Sequence, residues 1–319
     1  MSLNPPLAWQ GALWERLVSE YGQNRLPHAL LLSGAAHIGK KHFAVALAHR
    51  LLCHCESSLY ACGTCKGCLL NEAQTHPDLA ILEPNDAGKK VIGIGEVREL
   101  INVLSKTSQQ GGWKVAVIAP VENLTISGAN ALLKTLEEPP GKILMLLVSH
   151  ELGRIPATIR SRCQRYMFPI PNASEVLPWL AQNGVALDKA AQVLKVARGR
   201  PLLAADYLQE SLLDRVAQFD QWVDDVASGQ LSPVSAAQKC HNADALEQID
   251  WFVQYIHRMV CLNVETCCSP ENFIFYDKLH KARGWIVSGA NANKQLIWEE
   301  LFFDWHTLAR GLAKAQSAS

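Results

Sequence analysis

The chain has 319 residues, 49% hydrophobic and 19% charged, a composition that excludes disorder and suffices for more than one core. At roughly 150 residues per domain, this length suggests about two domains, though three small ones also fit. Thirty basic residues balance thirty acidic ones, which excludes the global cationic field that drives salt-sensitive binding to free nucleic acid.

The opening MSLNPPLAWQ lacks a basic stretch leading into an apolar one, and no later run reaches 18 uninterrupted apolar residues. The expected location is the cytoplasm, where ten cysteines read as metal ligands or buried small hydrophobes rather than disulfides.

In chain order, apolar runs at Ala29 to Ser33, Leu79 to Leu82, Val115 to Ala119 and Ile143 to Ser149 alternate with helix-like segments, the first ending near Leu52. That alternation predicts an α/β core with a parallel sheet covered on both faces. Two runs, VAVIA and ILMLLVS, are continuously apolar, as central strands buried on both sides should be. Helix ANALLKTLEE must stop at Pro139-Pro140, because proline lacks an amide hydrogen and restricts the residue before it. Glu137 and Glu138 then lie in a last turn where the helix dipole prefers cations, which calls for a basic partner within the chain or on a neighbour, or for solvent. Pro169 to Ser174 reads as a linker, and after it the hydrophobic period becomes helical. Three short helices follow: one around Val176 to Ala181, one with Asp188 as its N-cap and Gly199 past its end, and one from Pro201. Beyond Gln209 the amphipathic stretches predict an all-α domain, with Ser232 and Pro233 suited to N-cap and first turn.

The strongest motif is Cys53, Cys62, Cys65 and Cys68, spaced C-x8-C-x2-C-x2-C. Two x2 spacings let three thiolates converge on one tetrahedral ion, Gly63 and Gly67 ease the turns, and Cys53 supplies the fourth sulfur from the preceding helix end. Four sulfurs leave no open position, so a zinc ion there would be structural. Unligated thiols are the bland alternative; a ferredoxin-type cluster would need a further Cys followed by Pro downstream, which is missing. His54 and Cys55 are spare candidates, while Cys163, Cys240, Cys261, Cys267, Cys268 and His76 read as structural.

In SGAAHIGKK, residues Gly34, Gly39 and Lys40 satisfy G-x4-G-K, a loop whose amides and lysine cradle phosphates at a helix start. Position 41 should carry a hydroxyl for Mg²⁺ but is lysine, and the strand at Val115 ends in Ala119-Pro120 instead of acidic residues. Glu122 lies past that end and reads as a surface residue. The degenerate loop predicts loss of hydrolysis, and a mere strand-to-helix turn is its alternative. Arg160, Arg162 and Arg165, taken alone, read as a basic surface cluster.

With THPD (Thr75 to Asp78), ANALLKTLEEPP (Ala129 to Pro140) and SRC (Ser161 to Cys163) in this order, the chain resembles the delta-prime family of bacterial DNA polymerase III clamp-loader subunits, within the AAA+ superfamily. The likeness runs from about residue 10 to about 208, and more loosely to the end. It implies an AAA+ parallel-sheet core with a zinc module over 1–168, a three-helix lid over 169–208 and a helical collar over 209–319. It implies work in opening and placing the sliding clamp on primed DNA in replication, beside tau/gamma ATPase subunits and the delta subunit, with no membrane involved. It also implies that the chain hydrolyses no ATP itself, and that Arg162 acts in trans as an arginine finger on a neighbour's nucleotide. Active relatives carry an arginine in the lid, and the matching position here is Leu202. Retention of Lys40 leaves nucleotide binding open. Rival readings are an active AAA+ ATPase and a zinc-containing DNA-binding protein; neutral charge and the lack of a basic recognition helix weigh against the second.

Overall fold

The computed structural model describes residues 5–55, 58–84, 91–182, 186–209, 212–240, 245–262, 270–287 and 293–316. The chain divides into two compact units, Met1–Ala205 and Asp206–Ser319. The three short helices after the sheet fall mostly in the first.

In the first unit, five strands form one parallel sheet: β1 (Ala29–Ser33), β2 (Leu79–Leu82), β3 (Lys114–Ile118), β4 (Ile143–Ser149) and β5 (Gln164–Met167), in the order β2-β3-β4-β1-β5. Every residue of β1, β3 and β4 is buried, as continuous apolar runs require of strands covered on both faces. Alternate side chains divide between two cores. Leu30, Leu32, Val117, Leu146 and Val148 pack with Trp14 and Leu17 of α1 (Gly11–Gly22) and with Phe43 and Leu47 of α2 (Lys40–Leu51). Leu31, Ala116, Ile118, Met145 and Leu147 pack on the other face. Their partners include Val97 and Leu100 of α4 (Ile94–Ser105) and Leu132 and Leu136 of α5 (Ile126–Glu137). The intervening α3 (Lys66–Glu72) belongs to the cysteine module.

Strand β5 is absent from the sequence reading. Its sequence QRYM buries only Tyr166, because an edge strand presents most side chains to solvent. Helix α5 ends at Glu137, before Pro139-Pro140 as expected. Next come α6 (Ala157–Arg160), α7 (Ala173–Gln182), α8 (Leu187–Val196) and α9 (Pro201–Gln209). Ala186, not Asp188, caps α8; Asp188 lies in the first turn, where a carboxylate still favours the dipole.

The second unit contains α10 (Leu212–Ser228), α11 (Pro233–Cys240), α12 (Ala245–Leu262), α13 (Pro270–Val287) and α14 (Lys294–Gln316). The Ser232 hydroxyl accepts the Ser235 amide at 3.1 Å, so it caps α11. An aromatic core of Phe219, Trp251, Phe252, Trp298, Phe302 and Trp305 holds these helices together, and the Trp305 indole donates to the Val223 carbonyl at 2.9 Å. Cys240 is buried there; Cys163 is half-buried in the first unit, and the side chains of Cys261, Cys267 and Cys268 lie outside the described residues. No described helix is long and apolar enough to cross a membrane.

Candidate functional site

The four predicted cysteines come together. Their sulfurs all lie within 4.8 Å of one another, with Cys62 Sγ to Cys68 Sγ at 3.8 Å and Cys65 Sγ to Cys53 Sγ at 3.9 Å, so the set could hold a metal ion. Cys53 follows α2, Cys65 caps α3 and Cys68 lies within α3. Gly67 is required by close approach, since a Cβ there would stand 2.3 Å from the Leu52 carbonyl. The backbone is arranged for thiolates: the amides of Cys55 and Cys62 donate to Cys53 Sγ and the amide of Cys65 to Cys62 Sγ, each at 3.4 Å. Amide and hydroxyl of Thr64 with the Cys65 amide pull the Cys62 thiol down to about 5, whereas burial pushes Cys68 up. A bound cation overrides that burial penalty and deprotonates the ligand. His54 and Cys55 are not part of the converging set.

The phosphate-type loop lies between β1 and α2, at the carboxyl end of the sheet. Lys40 is 2% exposed, and its ammonium donates to the Gly34 carbonyl at 2.8 Å and to the Ala35 carbonyl. The lysine is thus bound to its own loop. Burial pushes it down to about 8, opposed by the charge of Glu122. Gly39 caps α2 with φ 88°, and a Cβ there would meet Leu7 Cδ1 at 2.3 Å. Lys41 instead pairs with Glu83 at 2.6 Å in solvent, so position 41 offers a magnesium ion no ligand.

Strand β3 runs out into Ala119 and Pro120, as read from the sequence. Glu122 corrects the expectation of a surface residue. The short turn Val121–Asn123 folds it back against the end of β4, where its Oε1 accepts the amides of His150 at 2.7 Å and Glu151 at 3.2 Å. Its Oε2 is buried without a hydrogen-bond partner.

Other segments cover the loop. Trp9 donates to the Ile38 carbonyl at 3.0 Å, Gln10 donates to the Ile38 and Gly39 carbonyls at 3.3 and 3.0 Å, and the Leu202 amide donates to the His37 carbonyl at 3.0 Å. Leu202 therefore adjoins the loop with an aliphatic side chain that cannot bind phosphate. No sequence pattern marks Trp9 or Gln10, since their roles depend on contacts 28 or 29 residues away.

Arg162 follows α6, and Glu137 is its partner. Its Nε donates to Glu137 Oε1 at 2.8 Å and Nη2 donates to the same oxygen, while Nη1 donates to the Thr158 carbonyl at 2.9 Å and to Ser161 Oγ at 3.3 Å. The basic partner expected for the end of α5 is thus within the chain. Arg160 and Arg165 are exposed and line an open pocket of about 390 Å³ with Leu31, Leu152, Ala157 and Ser161.

Residues 9–172 match the protein family described as DNA polymerase III, delta subunit. The chain is similar to DNA polymerase III subunit delta' of Pseudomonas aeruginosa, with 32% identity covering 94% of this chain and 97% of that one. It is also similar to the delta' subunit of Escherichia coli, at 36% identity over 60% of this chain and 58% of that one. A solved gamma subunit-related protein from Thermotoga maritima aligns over 92% of this chain and 99% of its own at 16% identity, with a TM-score of 0.44, too low to add weight.

Proposed function

Because the chain belongs to the DNA polymerase III delta-prime family, we propose that it is the clamp-loader subunit that supports ATP hydrolysis by its neighbours without performing it. Its partners in this reading are the tau/gamma ATPase subunits and the delta subunit, with the sliding clamp and primer-template DNA reached through the complex in the cytoplasm. Helices α7 to α9 serve as the lid over 169–208, and residues 209–319 form the helical collar. The cysteine module holds one structural zinc: bonds of about 2.3 Å at tetrahedral angles place sulfurs about 3.8 Å apart, close to the two spacings of 3.8 and 3.9 Å.

The observation that carries this reading is the state of the nucleotide loop. Lys40 is occupied by the carbonyls of Gly34 and Ala35, position 41 has no hydroxyl, and β3 ends in Ala119-Pro120 rather than in an acidic pair. An arginine on the rim keeps its use when the chain's own site is inactive. Arg162 can meet a neighbour's γ-phosphate bidentately, offsetting charge that grows during transfer.

The test is Arg162→Ala in a reconstituted loader, with assembly verified separately. Turnover at one interface should fall by a factor on the order of 10³, so that total clamp- and DNA-stimulated hydrolysis loses that interface's share. Wild-type rates in a fully assembled mutant complex would reduce Arg162 to a structural residue.

A further inference from the structure

We infer that Glu137 is a latch: in the free chain it holds Arg162 in a parked arrangement that a neighbour's phosphate must displace. This rests on Arg162 being a finger. Of the five guanidinium hydrogens, four are directed at the chain's own acceptors, two at Glu137 Oε1 and one each at the Thr158 carbonyl and Ser161 Oγ. The edge formed by Nε and Nη2 offers two parallel donors, the fork with which arginine takes an oxyanion. Glu137 occupies that edge, and its negative charge repels an incoming phosphate. The phosphate and the carboxylate therefore compete for the same donors.

The latch follows from the helix that carries it. Pro139-Pro140 fix the end of α5, which places Glu137 in the last turn, where the negative end of the dipole adds to its attraction for a cation. Arg162 and Glu137 are 33% and 50% exposed at the side chain, so solvent weakens the pair. An exposed pair shifts an equilibrium about 2- to 5-fold, enough to bias the finger and little enough for a bound nucleotide to overcome.

The experiment has two arms, both on the full chain. In the isolated protein, hydrogen exchange at Arg162 Nε, followed by NMR, should accelerate in Glu137→Gln. In the reconstituted complex, Glu137→Gln should lower the KM for ATP about 2- to 5-fold with kcat nearly unchanged, and adding Arg162→Ala should abolish that gain. If Arg162→Ala slows hydrolysis while Glu137→Gln leaves KM at the wild-type value or raises it, the latch is overturned and the finger stands. If Arg162→Ala has no effect in an assembled complex, the finger reading fails and takes the latch with it.

Discussion

His49 shows how a single buried group ties this protein to pH. It lies in α2 at 4% exposure with Nδ1 unpartnered, and burial together with His76 and His42 pushes it down to about 4. His76 is 5% exposed and is also depressed, chiefly by burial, and its Nδ1 accepts the Asp78 amide at 3.1 Å. The His49 ring stays neutral in the folded chain down to about pH 4, whereas the unfolded chain protonates it near pH 6.5. The unfolded state therefore binds more protons between about pH 6.5 and 4, so stability is intact above that window and falls as pH drops through it. Thermal melts from pH 7 to pH 5 should lose on the order of 1 to 2 kcal/mol through His49, and His49→Gln should flatten the slope. An unchanged slope in the variant would clear His49 of this role.

Among the elements, the turn between α4 and β3 depends on one carboxylate. Asp78 is 1% exposed, and it accepts Ser108 Oγ at 2.9 Å and the amides of Gln109 and Gln110 at 3.0 Å, with Lys114 Nζ at 3.7 Å. Burial pushes its pKa up, but the two amides, the hydroxyl and Lys114 outweigh that and hold it below the usual carboxylate range. Asp78→Asn leaves Lys114, itself 4% exposed, without its counterion, and should cost about 3 kcal/mol in urea unfolding. The cysteine module gives a second expectation at this scale. Protein purified without chelator should contain about one zinc per chain, and Cys68→Ser or chelation should release it and lower the melting temperature. Iron, or four freely reactive thiols, would refute the zinc assignment. Central strands and the cysteine set were legible because their signals are local: continuous apolar runs and two x2 spacings. β5 was not, since its stability comes from pairing with β1 rather than from its own side chains. Glu122 escaped for a similar reason, because its environment is set by the end of β4 across the sheet.

At the scale of the whole molecule, the loop binds its own lysine and the neighbouring strand ends in Ala119-Pro120 rather than in an acidic pair. Purified alone, it should show no magnesium-dependent ATPase above background. Turnover that vanishes on Lys40→Ala would show instead that the loop is active. Zero net formal charge gives the chain no global field of its own toward nucleic acid. The short turn Ala8–Gln10 links two parts of the first unit: Trp9 meets Trp179 of α7 edge-on at 5.4 Å and also donates to Ile38 in the loop. Leu7 fills the space that a side chain at Gly39 would need. Loss of the Trp9 indole would therefore remove a hydrogen bond from the loop and an aromatic contact from α7 in a single substitution. The indole thus acts as a shared hinge pin, and a change made on one side of it is felt on the other.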